Sequence, residues 1–207
     1  SKKMNNSIDR ASTSVTDKPE FSGEGVRLGD ICNVRSGGTP KRSVSEYWDK
    51  GTIPWVKIGD ISSKYISTTE ENISEAGLKN SAAKLFQPGT LLFSIFASIG
   101  AVGILTVPAA TNQAIAGLEI KSNIINRDYL FYFLKASEMS AKHSGRGVAQ
   151  NNINLSILRD MKVPVPSLAE QSAIAREFER IDCQIDMANN QLSSLDSLVK
   201  SRFIEMF

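Results

Sequence analysis

An α+β fold, built as a strand-rich domain followed by one long coiled-coil-forming α-helix, is what this sequence predicts. Three observations predict it. Beyond Ser167, apolar residues recur at alternating steps of four and three: Ile174, Phe178, Ile181, Ile185, Ala188, Leu192, Leu195 and Val199. That is the 3.5-residue period of a coiled-coil seam. Between Lys84 and Glu119 no charged residue occurs, yet Pro88, Gly89, Gly100 and Pro108 break the run into strand-sized pieces. Finally, an Asn126-capped helical pattern interrupts the strands, which makes the domain mixed.

Taken in order, residues 1–25 are rich in Ser, Asn, Asp, Lys and Thr and read as a flexible tail or linker. Order is expected from Val26. Residues 28–34 read as a short helix or a strand entry, followed by the loop Ser36-Gly37-Gly38-Thr39-Pro40-Lys41-Arg42. Residues 53–58 read as a strand with Trp55 and Lys57 on one face and Val56 and Ile58 on the other. Pro54 marks it as an edge strand or a strand start. A weak helix or loop is expected over 73–83, then two buried strands at 90–95 and 101–107 joined across Ser98-Ile99-Gly100. Another strand follows at 114–120. The helix at 127–142 would turn Leu130, Phe133, Leu134 and Met139 to a sheet. After Ser144-Gly145-Arg146-Gly147 comes the amide-rich loop Gln150-Asn151-Asn152-Ile153-Asn154. A short helix at 155–159 and a last strand at 161–165 complete a domain over 26–166.

The long helix, 167–207, has a clear start signal. Pro164 and Pro166 block helix before it, Ser167 is the N-cap, and Glu170 completes a capping box. At 1.5 Å per residue it would be about 60 Å long, roughly twice the extent of a domain of the preceding size. Its seam must therefore project beyond that domain and needs a partner.

Composition sets outer limits. A hydrophobic fraction of 41% and a charged fraction of 22% are those of an ordinary globular protein, not of a disordered chain. Cys32 and Cys183 show no framework spacing, which points to a reducing, cytoplasmic setting without structural disulfides. With two cysteines and one histidine, His143, the sequence offers neither a zinc site nor a histidine-based triad. The uncharged stretch is long enough to span a bilayer, but its serines, glycines and proline favour buried strands over a membrane span. Residues 27–64 carry seven basic side chains against four acidic, and 121–162 carry seven against three; the long helix carries four against seven. A basic domain on an acidic rod suits a polyanion met by one and protein met by the other. A scatter of surface charge would give the same totals.

Catalytic motifs are missing. Residues 37–43 lack the spacing of a phosphate-binding Walker loop, no GxGxxG occurs, and the acidic/Asn-Pro-Pro-aromatic motif of an amino-methyltransferase is lacking. Glu119-Ile120-Lys121 has a nuclease-like look, but the nearest upstream aspartate is Asp60; an ion pair at a strand end explains it better. His143 reads as a surface residue near a helix end. Binding features stand out more. Gly37 and Gly38 could bring backbone N–H groups to phosphate, with Lys41 and Arg42 behind them, or could simply form a turn. Arg146, Gln150 and Asn151 are residue types that read guanine and adenine edges, on a loop that could equally be an ordinary polar turn.

An ordered series of motifs then carries a resemblance. Leu28-Gly29-Asp30, Ser36-Gly37-Gly38-Thr39-Pro40, Tyr47-Trp48, Ile53-Pro54-Trp55-Val56 and Gly59-Asp60-Ile61 come first. Pro88-Gly89-Thr90-Leu91-Leu92, Ala97-Ser98-Ile99-Gly100 and Thr111-Asn112-Gln113-Ala114 follow. The series ends with Gly147…Asn152-Ile153-Asn154, Val163-Pro164-Val165-Pro166-Ser167-Leu168-Ala169-Glu170-Gln171 and Ser201-Arg202-Phe203-Ile204-Glu205-Met206-Phe207. From Val26 to Phe207 the chain resembles the specificity (S) subunit of type I restriction-modification systems.

The resemblance implies a DNA target recognition domain at 26–166 with no catalytic or metal-binding residues of its own. It implies docking to a methyltransferase (M) subunit that binds S-adenosylmethionine, and through that complex to a restriction (R) subunit. Such subunits usually hold two recognition domains and two helices paired in an antiparallel coiled coil, each domain reading half of a bipartite site in double-stranded DNA. This chain carries one domain and one helix, which fits either half of a longer subunit or a natural half-subunit. A homodimer through Ile174, Phe178, Ile181, Ile185, Leu192, Leu195 and Val199 is therefore expected. The DNA-facing set is expected to be Thr39, Lys41, Arg42, Lys57, Arg146, Gln150 and Asn151, with Lys41, Arg42 and Lys57 on phosphate and the last three on base edges. Two other readings remain beside this one: a coiled-coil scaffold or adaptor that does not bind DNA, and a nuclease centred on Glu119.

Overall fold

A computed structural model describes residues 25–96, 100–143 and 153–206 (backbone only for 138–143 and 205–206). Eleven strands and five helices alternate through it. The strands are β1 (Val26–Arg27), β2 (Cys32–Ser36), β3 (Ile53–Val56), β4 (Tyr65–Ile66), β5 (Glu71–Ile73), β6 (Leu85–Phe86), β7 (Leu91–Ser94), β8 (Val102–Leu105), β9 (Ala109–Thr111), β10 (Ile115–Ile120) and β11 (Lys162–Val163). The helices are α1 (Leu28–Ile31), α2 (Glu75–Lys79), α3 (Arg127–His143), α4 (Leu155–Asp160) and α5 (Leu168–Met206). The α+β expectation holds, with the long helix in place.

The strands form a five-stranded sheet in the order β2-β10-β7-β8-β4, a four-stranded sheet β5-β3-β9-β6, and a two-stranded ribbon β1-β11. Three layers result. Leu91, Phe93, Ile104 and Leu118 on one face of the larger sheet pack with Leu130, Phe131 and Leu134 of α3. Leu92 and Ile115 on its other face pack with Val56, Phe86 and Ala109 of the smaller sheet. The larger sheet is thus covered on both sides, so β7 is buried at every position and shows no alternation. This explains the uncharged stretch: its strands run between two apolar layers, where an ion would lose its hydration. Among the described residues, no helix is long and apolar enough to cross a membrane.

Several expectations needed correction. Residues 53–58 do not form one strand: β3 ends at Val56, and Lys57 leads into a 3-10 turn at Ile58–Asp60. The expected faces hold, since Val56 and Ile58 pack in one cluster while Lys57 reaches Glu71, the cross-strand partner of Trp55. Nor does β3 lie at an edge, since it sits between β5 and β9. Pro54 is tolerated because it is at the strand start: it faces Asn72 of β5, and pairing with β9 begins only at Trp55. The short strands β4, β5, β6 and β9 have no sequence signal of their own, being two or three residues each.

Local signals elsewhere hold. Asn126 Oδ1 accepts from Tyr129 N at the start of α3, and Asn154 Oδ1 accepts from Ile157 N at the start of α4. At the start of α5, Glu170 N donates to Ser167 Oγ at 3.3 Å while Glu170 Oε2 accepts from Ser167 N at 2.9 Å, a reciprocal capping box.

Candidate nucleic-acid interface

Strand directions bring the loops together at one end of both sheets. Ser36 at the end of β2 pairs with Ala116, and Ile115 at the start of β10 pairs with Ser94 at the end of β7. Val56 at the end of β3 pairs with Thr111 at the end of β9. Gly37 N donates to Ile115 O and Gly38 N to Thr111 O, which ties the two sheet ends to each other. Ile153 N donates to Ile95 O, so the chain re-enters the described structure at this same end. The rim therefore carries the loop after Ser36, the turn after Val56 and the loop 112–114. The expected base readers Arg146, Gln150 and Asn151, with Ala97-Ser98-Ile99, lie outside the described residues.

The geometry changes the reading of the glycine loop. A Cβ at Gly37 would lie 2.0 Å from Thr111 Oγ1, and one at Gly38 would lie 2.5 Å from the Ala82 carbonyl carbon. Both glycines serve close backbone packing, and both N–H groups are already engaged. They are not donors for phosphate. The Gly38 carbonyl in turn accepts from the buried Trp55 Nε1 at 3.1 Å. Thr39 is exposed at the rim, and its hydroxyl donates to Gln113 Oε1.

Behind the rim lies an aromatic corner with a charge chain. Trp48 and Trp55 meet edge to face at 5.1 Å, and the Arg42 guanidinium lies 3.7 Å from the Trp48 ring centroid. Arg42 also pairs with Glu71. Lys57 Nζ reaches Glu70 at 2.6 Å and Glu71 at 2.7 Å. Hydrogen bonds from Arg42 and then Lys57 hold the Glu71 carboxyl below the usual carboxylate range, and hydrogen bonds to Glu70 and Glu71 push Lys57 up to about 12. Two cations thus share two carboxylates. Lys41, by contrast, is exposed, and its ammonium has no ion pair or hydrogen bond among the described residues. Glu119 pairs with Arg35 at 2.7 Å, and Lys121 donates to Gly29 O, which is the strand-end ion pair expected there. Among the described residues, no cluster of His, Cys, Asp and Glu could hold a metal ion. Cys32 is buried, which pushes its thiol up to about 12; Cys183 is exposed, and both are free.

The long helix has two faces with different fates. Gln171 is fully buried; its amide donates to Ile124 O and Pro166 O, both at 2.8 Å, and accepts from Asn126 N at 2.7 Å. Ala175 is buried in the core, and Phe178 stacks on Tyr132 at 5.3 Å. Asp182 pairs with Lys135 at 3.1 Å. Lys64 bridges Asp128 and Glu179, each at 3.1 Å; burial alone would push its pKa down, but those two carboxylates outweigh it and hold it above the ordinary lysine value. Residues 171, 175, 178 and 182 form a stripe about 80° around the helix from the seam. Within the seam, Ile181, Ile185, Leu192, Leu195 and Val199 are exposed, Val199 at 65%. Ile174 is at the exposure boundary, and Phe178 stands between the two stripes. The Gln171 anchor and the Lys64 bridge had no place in the sequence reading. The i, i+4, i+7, i+11 spacing of Gln171, Ala175, Phe178 and Asp182 was the available signal.

The geometry agrees with comparisons to known proteins. A family model described as type I restriction modification DNA specificity domain matches residues 23–197. The MjaIX specificity subunit of Methanocaldococcus jannaschii is 32% identical over 186 residues, covering 87% of this chain and 43% of that protein. The EcoR124I/EcoR124II specificity subunit of Escherichia coli is 28% identical over 163 residues, covering 75% of this chain and 40% of that one. In fold, the HsdS subunit of Thermoanaerobacter tengcongensis superposes with a TM-score of 0.60 at 22% identity, over 78% of this chain and 37% of that one. A chain solved in a study of assembly and conformational transition of the type I R-M system gives 0.66 at 22% identity, over 84% and 42%. The chain spans less than half the length of these relatives. By the match over most of its length, this chain belongs to the type I restriction-modification DNA specificity domain family.

Proposed function

We propose that this chain reads one half of a bipartite site in double-stranded DNA, and that α5 pairs with a second helix and docks a methyltransferase subunit. The observation that supports this most directly is the gathering of loops at one end of both sheets, in a chain of a DNA specificity family. Thr39 and Lys41 lie on that rim, and Arg146, Gln150 and Asn151 belong to the segment that returns to it at Ile153. Arg42 and Lys57 stand beside the rim with their charge balanced by Glu70 and Glu71. S-adenosylmethionine would be held by the methyltransferase, a restriction subunit would join through the complex, and the cytoplasm is the compartment of the reaction. The uncovered seam supports pairing with a second copy, which would place two recognition domains on one two-fold axis and make the site palindromic.

Selection of bound duplexes from a randomised pool, with and without the methyltransferase subunit, tests this. An enriched half-site with salt-sensitive affinity is the expected result. Arg146→Ala should then relax discrimination at one base pair by about 1–3 kcal/mol, whereas an equal loss on all sequences would make it a phosphate contact. No salt-dependent binding in either condition leaves the exposed seam as the dominant feature. The coiled-coil adaptor reading would replace this one.

A further inference from the structure

We propose that Lys41, Lys79 and Lys84 grip the DNA backbone, forming a phosphate-contacting flank beside the reading rim; this rests on the DNA-reading role above. Two segments meet where Gly38 lies against Ala82, close enough that a Cβ on Gly38 would clash with the Ala82 backbone. The first, from Ile31 to Ser45, contains no acidic residue. The second, from Ala76 to Leu118, contains none either. Lys41 is three residues from Gly38, Lys79 three before Ala82 and Lys84 two after it. Each is therefore within about 10 Å of chain from that contact.

All three lysines are exposed, and among the described residues none has an ion pair or hydrogen bond from its ammonium group. Three neighbouring cations are already engaged: Arg42 and Lys57 with Glu71, Arg35 with Glu119. The acids nearest in sequence are Glu46, Asp49 and Glu75. Glu46 and Asp49 lie in or just after the 3-10 turn Ser45–Tyr47, which packs on α2, and Glu75 stands one turn before Lys79; among the described residues none of these acids is paired with the three lysines. Lysine is a compact, strongly hydrated charge on a flexible stem, suited to following a backbone more than to reading a base. Duplex DNA carries a charge about every 1.7 Å of its axis, dense enough for each of three ammonium groups to meet its own phosphate. Thr39 and Gln113, hydrogen-bonded to each other, sit on the rim beside Gly38. Phosphate grip and base reading thus lie side by side.

Affinity for a random-sequence duplex, measured against salt for the native chain and for K41Q, K79Q, K84Q and the triple variant, tests the assignment. Each single change should lower the slope of log affinity against log salt by about 0.9, and the triple by about 2.7 per bound copy. The loss should be the same on every sequence. K162Q removes the same charge from β11, at the opposite end of β2 from the loop, and should leave the slope in place. Unchanged thermal unfolding of the triple variant keeps folding out of the comparison. A native slope retained by the triple variant overturns this assignment while leaving the DNA-reading role intact. A native chain with no salt-dependent affinity removes both.

Discussion

One helix, two environments: residues 168–182 of α5 lie on their own domain, while residues 183–206 run on for about 36 Å past it. The heptad pattern is the same in both parts, yet only the first has a cover. There Gln171, Ala175, Phe178 and Asp182 meet α3 and the loops around it. In the second, Ile185, Leu192, Leu195 and Val199 are more than half exposed. The domain thus sets the direction of the rod and leaves its seam open. A rod aimed by polar hydrogen bonds and ion pairs at its base can hold a partner at a defined place, because those contacts are directional where apolar packing is not.

Breaking the free part should give the largest effect. Ile181→Asp with Leu192→Asp places charges in the seam, and sedimentation should show the dimer constant weakened more than about 100-fold. The domain's own unfolding should stay unchanged; a shared loss would mean that the two parts are not separable. Breaking the anchored part comes next. Gln171→Leu strands the Asn126 N–H and the Ile124 and Pro166 carbonyls, and urea unfolding should show a loss of about 3 kcal/mol without a change in seam affinity. Lys64→Met removes the bridge between Asp128 and Glu179 and should cost about 1–2 kcal/mol. The smallest effect belongs to the capping box. The Ser167 hydroxyl and backbone N–H hold the Glu170 carboxyl below the usual range, so its contribution is full above about pH 4.3 and fades as pH falls through the lowered value. Glu170→Gln should flatten that acid limb of the helix signal in circular dichroism; an unaltered limb would assign the acid sensitivity elsewhere.

How much of this was legible follows from range. The Asn126 and Ser167 caps were readable because a cap is decided within three residues. β7, β8 and β10 were readable because the part of a strand that runs between two layers must be free of charge. β5 and β9 were not, since three residues carry no periodicity and their pairing partners lie 20 residues away in Ile53↔Ile73 and 55 away in Trp55↔Ala110. At the rim, Gly37 and Gly38 were visible as special positions. Their use in backbone packing against Thr111 and Ala82 was not, because it depends on residues more than forty positions away.

Residue order by itself determined the strand-rich α+β class, the start of the long helix, the unpaired heptad seam and the family resemblance. Each of these is written in local periodicity, capping chemistry or motif order. Tertiary structure alone decided which cations are paired: Arg42, Lys57 and Lys41 are alike in composition, but only packing brings Glu71 to the first two. It also decided which stripe of α5 is covered, through Gln171 and Lys64. Charge balance and burial are sums over neighbours in space, and those neighbours are set by the fold.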